Sequence, residues 1–213
     1  MAWRVPRWET VAGLDHAFLA RQDAPPAGVT TLRQVHGRVV IDVADLGDRS
    51  GEGDGLVTAR AGARVGVWTA DCVPVHLVAP SARVAAAVHS GWRGSAAGVV
   101  DEAIARLASR WNVAPDAVEA ALGPAVGGCC YEVGEEVRQA FTSRYGRVGE
   151  RGFTRRDGRL YLDLRSFLAE RLAALGVSRV ARIGPCTACR TDVLHSFRRE
   201  GETGRQLSYV GWV

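Results

Sequence analysis

The chain contains 213 residues, of which 47% are hydrophobic, and its net charge of +4 comes entirely from arginine because it has no lysine. The lack of lysine excludes Schiff-base, pyridoxal-phosphate and phosphate-loop chemistry, which all require its amine. The arginines are interspersed among 23 acidic residues rather than massed in one block, and no zinc-finger or helix-turn-helix spacing is present. We therefore expect no nucleic-acid binding, whereas a small anion such as phosphate suits the basic surplus.

Length and cysteine content predict the general organisation. A chain of this size can form one sizeable core, and no Pro- or Ser-rich linker divides it, so we predict a single domain over residues 1–213. No apolar run approaches the roughly 18 residues of a membrane span, and the first ten residues are too polar for a signal peptide. Five cysteines are an odd number, which favours reduced thiols over a disulfide framework. These features predict a cytoplasmic protein without a membrane partner.

The first third of the chain is predicted to form short strands, because its apolar segments are bounded by glycine, proline or polar residues. The predicted strands are residues 11–20, 29–35, 39–43 and 56–58. A hairpin-like bend at 36–37 would place His36 at its tip. The polar, glycine-rich segment 45–55 is predicted to be a loop.

The central segment concentrates reactive side chains between two apolar runs. Residues 65–70 and 83–88 are rich in valine and alanine, and they are predicted to be buried strands that end where polar residues begin. Asp71 and Cys72 follow the first strand, and His89 follows the second. Side chains at the ends of rigid strands are well placed for chemistry, so we expect a functional site here.

The remainder of the chain mixes helices and strands. Apolar residues recur at helical spacing from Ser95 to Trp111, over 133–145 and from Asp163 to Gly176. Further strands are predicted at 117–122, 153–160 with a turn at 157–158, 180–183 and 207–212. Because strands and helices do not alternate regularly, we predict an α+β fold of stacked mixed β-sheets with helices outside.

Three residues match the ligand set of a catalytic zinc ion, which takes three protein ligands and keeps a fourth position open. They are His36, Cys72 and His89, whose spacing is typical of ligands gathered from separate strand ends. Two alternatives remain open: a Cys72–His89 dyad with the thiolate as nucleophile, and a buried thiol beside a structural histidine. Asp54 could orient a ligand histidine, but we interpret Asp54–Gly55 primarily as a turn.

Arg93 is the candidate anion-binding residue. It lies in the segment GWRG at the predicted start of a helix, where free backbone N–H groups and a guanidinium both favour an anion. The alternative is that Arg93 pairs with Asp71 or Asp54 and only braces the site. The candidate catalytic residues are thus Cys72, His89, Arg93 and Asp71.

Several ordered motifs resemble those of the YfiH/YlmD family over nearly the whole chain. They are QVHG, DGLVT, TADCVPV, HSGWRG, GPAVGGCCYEV, YLDL, CTAC and the closing SFRREGETGRQ. This family was once called laccase-like polyphenol oxidases, is now described as purine nucleoside phosphorylases, and also appears as a peptidoglycan editing factor. The resemblance implies an α/β/β/α sandwich with a single Zn2+ bound by His36, Cys72 and His89. It also implies phosphorolysis of adenosine, inosine, guanosine and methylthioadenosine, together with adenosine deamination.

The chain departs from the family pattern before QVHG. Members usually carry a longer segment there with an arginine and glycines, of which Arg21 is the candidate remnant, and its shortening could change phosphate or nucleoside affinity. His76 and His195 are smaller departures with no assigned role.

Two cysteine pairs also remain without a role. Cys129–Cys130 and Cys186–Cys189 suggest a second, structural zinc, but the resemblance accounts for both pairs without a metal. We therefore predict one zinc per chain.

Other functions remain open at this stage. The main alternative is an amide hydrolase that acts on peptidoglycan precursors, and another is a zinc-binding module without turnover. A multicopper oxidase would need about ten ligands, mostly histidine, and the chain has five histidines. The expected partners are purine nucleoside and phosphate, and the expected assembly is a monomer or small homo-oligomer.

Overall fold

The structure is a computed structural model, and it describes residues 2–46 and 51–213. The described residues form the strands β1 (Leu14–Phe18), β2 (Val29–Thr30), β3 (Val40–Asp42), β4 (Gly55–Thr58), β5 (Ala63–Thr69), β6 (Val73–Ala79), β7 (Val84–Ser90), β8 (Glu119–Leu122), β9 (Glu132–Val133), β10 (Phe153–Arg156), β11 (Arg159–Leu162), β12 (Arg179–Arg182) and β13 (Gln206–Trp212). They also form the α-helices α1 (Val43–Leu46), α2 (Trp92–Ala97), α3 (Val99–Trp111), α4 (Glu135–Tyr145), α5 (Leu164–Ala174) and α6 (Phe197–Glu200). Short 3-10 helices span Pro6–Thr10, Pro80–Ala82, Pro115–Ala117, Gly146–Glu150 and Thr187–Cys189.

Part of the predicted loop at 45–55 lies outside the described residues, because positions 47–50 are not among them. Within the described ranges, no helix is long and apolar enough to cross a membrane.

The largest sheet has six strands in the order β12-β8-β6-β7-β4-β3. At its centre, β6 and β7 form an antiparallel hairpin that pairs along its whole length. All residues of both strands are buried, which explains why their sequences are mostly valine, alanine and leucine rather than alternating polar and apolar residues. The prediction includes β7 but not β6, since Pro74 and His76 interrupt its apolar run and proline is unusual in a central strand.

The second sheet has four strands in the order β1-β13-β5-β2 and packs against the six-stranded sheet. The apolar layer between the two sheets contains Phe18, Leu56, Val65, Val67, Val78, Ala85, Ala87, Val210 and Trp212. A small third sheet contains β10, β11 and β9. The stacked mixed sheets confirm the predicted α+β fold class.

Helices α3 and α5 cover the opposite face of the six-stranded sheet. The apolar residues of α3 join the main core on this side, and they are Val99, Val100, Ala103, Ile104 and Leu107. The predicted start of α5 is confirmed, because Asp163 accepts a hydrogen bond from the Ser166 N–H at 3.0 Å and so caps the helix. The helices therefore flank the sheets as predicted.

The helix predicted to start at Ser95 begins three residues earlier. The chain enters α2 at Trp92, and Gly91 occupies the N-cap position. The Ser95 hydroxyl instead donates to the Gly91 carbonyl at 2.8 Å within the helix. Gly98, with φ of +89°, then separates α2 from α3, because glycine adopts the left-handed backbone without a Cβ clash.

The predicted hairpin around His36 is wrong. β2 pairs with β5 in the four-stranded sheet, whereas β3 pairs with β4 in the six-stranded sheet. The chain between them crosses from one sheet to the other. On the way, the Gln34 side chain replaces a strand partner by exchanging two hydrogen bonds of 2.8 Å with the Trp68 backbone. His36 therefore lies on a crossing segment, with a left-handed φ of +59°.

Candidate metal centre

The three predicted ligands come together in the structure. Cys72 immediately precedes β6 and His89 is the penultimate residue of β7, so the open end of the central hairpin brings them side by side. His36 approaches from the crossing segment between the sheets. One ring nitrogen of each histidine and the Cys72 sulfur all lie within 4.8 Å of one another. The pairing of β6 with β7 and the crossing of the chain between the sheets thus bring together three residues that are far apart in sequence.

Asp54 positions two of the three ligands from a fully buried location. Its carboxylate accepts hydrogen bonds from His89 Nδ1 at 2.8 Å and from the backbone N–H groups of His36 and Gly37 at 2.9 and 2.6 Å. A carboxylate acceptor holds a proton of His89 on Nδ1, so Nε2 is the nitrogen that can bind a metal once its own proton is released. Our interpretation of Asp54–Gly55 primarily as a turn is therefore wrong, because Asp54 organises the centre.

Two glycines allow the segment GWRG to approach the ligands closely. A Cβ at Gly91 would lie 2.9 Å from Cys72 Sγ and 3.2 Å from His36 Cδ2. A Cβ at Gly94 would lie 2.7 Å from the Gly37 carbonyl oxygen. Any larger residue at Gly91 would displace the thiol or the imidazole, so this glycine is required by the geometry of the ligands themselves.

The surroundings of Cys72 favour its thiolate. Burial alone would raise the pKa of Cys72, but interactions with His36 and His89 outweigh it and lower the pKa to about 7. Burial would likewise lower the pKa of His89, but hydrogen bonding to Asp54 and Cys72 raises it to about 9. A thiolate is the form of cysteine that binds metals and acts as a nucleophile. These shifts are therefore compatible with both the metal site and the cysteine–histidine dyad.

Asp71 belongs to a different network from the ligands. Its carboxylate accepts hydrogen bonds from Thr187 Oγ1 at 2.6 Å, Ser196 Oγ at 2.7 Å and the Arg198 N–H at 2.6 Å. Its backbone is left-handed, with φ of +86°, at the point where the chain turns into Cys72. These contacts favour a positioning role for Asp71 over the predicted catalytic one.

Arg93 is exposed, and its guanidinium lies over the Trp92 ring, 4.4 Å from the ring centroid. Neither carboxylate of the bracing alternative is available, because Asp54 and Asp71 are engaged by the partners given above. Among the residues that the structure describes, no carboxylate forms an ion pair with Arg93. Its charge is thus available to a ligand.

Tyr131 and Arg198 are further candidate site residues, and the sequence predicts neither of them. Arg198 is exposed, and its guanidinium lies 5.2 Å from the centroid of the Tyr131 ring. Burial and the nearby Cys72 thiol raise the pKa of the Tyr131 phenol well above its usual value, while Arg198 and Arg93 oppose this rise. Tyr131 is therefore close to the thiol and to both arginines. The motifs CCYEV and SFRRE contain both residues, but nothing in their local sequence indicates that they meet.

The other residues singled out in the sequence make contacts elsewhere. His76 is buried and stacks on Phe18 with 4.3 Å between ring centroids. His195 Nδ1 is hydrogen-bonded to Thr203 Oγ1 at 2.9 Å. Arg21 pairs with Glu200 at 3.1 Å and donates to a backbone carbonyl. None of these contacts involves His36, Cys72 or His89.

The donor set fits a zinc ion. Two imidazoles and one thiolate are ligand types that zinc prefers, and three protein ligands leave a coordination position for water or substrate. His36 is exposed while His89 is buried, so the centre lies at the surface end of the hairpin. The buried Asp54 supplies the outer hydrogen bond that ligand histidines commonly make.

Comparison with known proteins identifies the family. A family model described as multi-copper polyphenol oxidoreductase laccase matches residues 8–213. The chain is 33% identical to purine nucleoside phosphorylase YfiH of Shigella flexneri over 188 residues, which cover 88% of this chain and 75% of that protein. It is 35% identical to purine nucleoside phosphorylase YlmD of Geobacillus stearothermophilus over 162 residues, which cover 74% of this chain and 59% of that protein.

The fold agrees with these matches. The crystal structure of YlmD from Geobacillus stearothermophilus superimposes with a TM-score of 0.88 at 27% identity, covering 100% of this chain and 96% of that chain. The chain therefore belongs to the family described as multi-copper polyphenol oxidoreductase laccase, and the relatives compared above carry the names YfiH and YlmD.

Proposed function

We propose that this protein is a zinc-dependent purine nucleoside phosphorylase that also deaminates adenosine. The observation that carries the proposal is the juxtaposition of His36, Cys72 and His89 with Arg93 and Arg198, two arginines that pair with no carboxylate of the described residues. One part of this arrangement suits a metal and the other suits an anion. The relatives named purine nucleoside phosphorylase support a purine nucleoside and phosphate as substrates. We propose adenosine, inosine, guanosine and methylthioadenosine as the nucleosides.

His36, Cys72 and His89 would hold the zinc ion, which supplies a Lewis acid that can activate water or polarise a substrate oxygen. Through its hydrogen bond with Nδ1, Asp54 orients His89 for metal binding. It also accepts hydrogen bonds from the consecutive backbone N–H groups of His36 and Gly37. Gly91 allows the start of helix α2 to pack directly against Cys72 and His36. Hydrogen bonds and close packing thus hold these residues in place before a ligand binds.

Arg93 and Arg198 would bind the phosphate. Guanidinium groups form bidentate hydrogen bonds with phosphate oxygens, and neither arginine has a carboxylate partner among the described residues. Tyr131 interacts electrostatically with both arginines and with Cys72, and its ring lies 5.2 Å from the Arg198 guanidinium. Its phenol is neutral near pH 7, as phenols ordinarily are. A neutral phenol can donate a hydrogen bond to an anion without repelling it.

The test is a panel of purine nucleosides incubated with and without phosphate, in which free base and ribose 1-phosphate are measured separately. Inosine cleavage should require phosphate and release ribose 1-phosphate, whereas adenosine deamination should proceed without it. Equal rates of inosine cleavage in phosphate-free buffer would identify a hydrolase and contradict the phosphorylase assignment.

A cysteine-dependent amide hydrolase is the second candidate. The observation that favours it is the series Cys72–His89–Asp54, in which a thiol, a base and an orienting carboxylate follow one another as in many nucleophilic enzymes. This function requires neither His36 nor a metal. Release of amino acids from a muropeptide nucleotide by metal-free protein, undiminished in His36→Asn, would favour the hydrolase over the phosphorylase.

The family description raises the question of copper. Two histidines and one cysteine can also hold a single copper ion, usually with a weak axial methionine, but the single methionine of this chain is Met1. A multicopper centre would need more histidines than the five present. Metal analysis of protein prepared with equal zinc and copper would decide between the two ions.

The cytoplasmic location and the monomeric or small homo-oligomeric state stay predictions.

A further inference from the structure

A second cluster of potential metal ligands lies outside the centre described above. The Sγ atoms of Cys129, Cys130, Cys186 and Cys189 all lie within 4.8 Å of one another. The Sγ atom of Cys189 is 3.7 Å from that of Cys129 and 3.5 Å from that of Cys130. All four cysteines are free thiols. Two segments separated by more than fifty residues therefore bring four sulfurs to one point.

These distances match a single tetrahedral ion. With metal–sulfur bonds of about 2.3 Å, the edges of a tetrahedron of sulfur ligands measure about 3.8 Å. The sulfurs around an iron–sulfur cluster are spread further apart, because several iron and sulfide ions lie between them. A single ion thus fits the spacing of these thiols better than a cluster does.

Backbone turns present the four thiols to one another. The N–H groups of Cys130 and Tyr131 donate to the Gly127 carbonyl at 2.9 and 3.0 Å, and this turn exposes two adjacent thiols on one side. The N–H of Cys189 donates to the Cys186 carbonyl at 3.3 Å in the facing turn. The Gly127 N–H donates to Cys186 Sγ at 3.1 Å, which would stabilise a thiolate.

The backbone also joins the two turns directly. Ala125 and Cys186 form a parallel bridge, and the Thr187 N–H donates to the Ala125 carbonyl at 3.0 Å. A Cβ at Gly127 would lie 3.3 Å from Cys129 Sγ and 3.4 Å from the Cys186 Cβ. The thiols are thus held on two interlocked turns rather than on independent loops.

We propose that Cys129, Cys130, Cys186 and Cys189 bind a second, structural zinc ion. This replaces the prediction of one zinc per chain. Four thiolates complete the tetrahedral shell, so the ion has no open position for water or substrate. The site does not take part in nucleoside chemistry, and it exists whether or not the function proposed above is correct.

The position of this site gives it an architectural role. Cys130 immediately precedes Tyr131, and Cys186 and Cys189 enclose Thr187, which donates to Asp71 beside the ligand Cys72. A zinc ion here would clamp the segment that carries Tyr131 to the segment that supports Asp71. It would therefore hold Tyr131 and Asp71 in position beside the first centre.

The test is the metal content of the full chain prepared under reducing conditions with excess zinc and then freed of unbound ion. Wild-type protein should contain two zinc ions per chain. The double variant Cys130→Ser/Cys189→Ser should contain one and should lose the second zinc only. The matched variant Cys72→Ala should also contain one, and the combination of all three substitutions should contain none.

Cobalt provides a readout that does not depend on the folding of the double variant. Thiolate-to-cobalt charge-transfer absorption grows with the number of thiolate ligands, so cobalt-loaded Cys72→Ala should keep most of the wild-type band. Loss of that band in Cys72→Ala would overturn the proposal. So would one zinc per wild-type chain that is lost in Cys72→Ala, an unchanged zinc content in Cys130→Ser/Cys189→Ser, or a disulfide within the cluster found by mass spectrometry of the alkylated, unreduced protein.

Discussion

The two groups of potential metal ligands are built differently. The first combines two histidines and one cysteine from three separate elements, with Asp54 buried behind His89. The second combines four cysteines from two facing turns, with backbone bonds between the turns. Three mixed ligands leave one position open, whereas four thiolates close the shell. The number and type of ligands therefore separate a centre suited to chemistry from one suited to holding segments together.

The comparison also shows how the two groups depend on each other. Asp71 and Thr187 connect them through a hydrogen bond of 2.6 Å, and Asp71 directly precedes the ligand Cys72. Because energetic coupling between two sites is reciprocal, a change in either group should reach the other only by loosening this connection.

The largest expected effect is that of Cys72→Ala. Loss of the single thiolate of the first centre should remove its zinc and lower phosphorolysis by about a thousandfold or more, because several kcal/mol of transition-state stabilisation depend on the metal. The matched substitution Cys129→Ala should keep activity within about tenfold of wild type. Zinc content and kcat/KM for inosine would be measured for both. Equal losses of activity in the two variants would contradict the division between them.

The next effect in size is that of Asp54→Asn. An amide cannot accept the His89 proton as a carboxylate does, so zinc affinity of the first centre should fall by about 10- to 100-fold. Asp42→Asn is the matched control, because Asp42 is also buried but pairs with Arg110 at 2.7 Å. Zinc affinity would be measured by competition with a chelator. An unchanged affinity in Asp54→Asn would show that Asp54 only shapes the loop.

Arg93→Ala and Arg198→Ala should each raise the KM for phosphate by about 10- to 100-fold, as expected for loss of a charged hydrogen bond of about 1.5–3 kcal/mol. Zinc content and adenosine deamination should survive in both. Arg147→Ala, which removes another exposed arginine, should leave the phosphate KM unchanged. A parallel fall of phosphorolysis, deamination and zinc content would instead show that the arginines brace the centre.

The smallest expected effect is a change with pH in the free energy of unfolding of the stacked sheets. Burial and the neighbouring Arg4 lower the pKa of His16 to about 4, and burial together with His16 lowers the pKa of His76 well below its usual value. Both side chains are fully buried. The unfolded chain therefore binds more protons than the folded chain below pH 6.5, so stability should fall as pH falls from about 6.5 to 4.

His76→Leu tests this explanation. Within the described part of the chain, the ring nitrogens of His76 have no hydrogen-bond partner of regular geometry, and a backbone interaction with Ser208 only partly opposes the fall in its pKa. Leucine should therefore lose little at this position and should reduce the acid sensitivity. Urea unfolding at pH 7 and pH 5 would measure the change in the free energy of unfolding. An unchanged difference between the two pH values would assign the acid sensitivity elsewhere. Metal release from the two centres should be compared above about pH 6.5, where this loss of stability does not occur.

The sequence was informative where a strand end carries a reactive side chain. Cys72 and His89 follow buried apolar runs, and the structure brings them together with His36 as predicted. Asp54 was misjudged because aspartate before glycine is common in turns, and its burial depends on strands that pair far away in sequence. Zinc itself, and the roles of the ligands, remain proposals.

Other features could not be read from local sequence at all. The crossing of the chain at His36 depends on which sheet each flanking strand joins, and apolar alternation is the same in either case. The meeting of Tyr131 with Arg198 and the convergence of the cysteine pairs both depend on tertiary packing. The resemblance to family motifs identifies these segments and their order along the chain. It does not indicate that Tyr131 contacts Arg198 or that the two cysteine pairs meet.

The hairpin of β6 and β7 has a consequence for how the chain tolerates insertions and deletions. Its strands are buried on both faces, and Val73 pairs with Ser90 at the end that carries Cys72 and His89. Loss or gain of one residue within either strand would turn every following side chain to the opposite face, and would separate the thiol from the imidazole. A length change in the turn at Pro80–Ala82, about seven residues away, leaves that pairing intact. Evolution can therefore lengthen this hairpin at its tip but cannot change the number of residues in its strands.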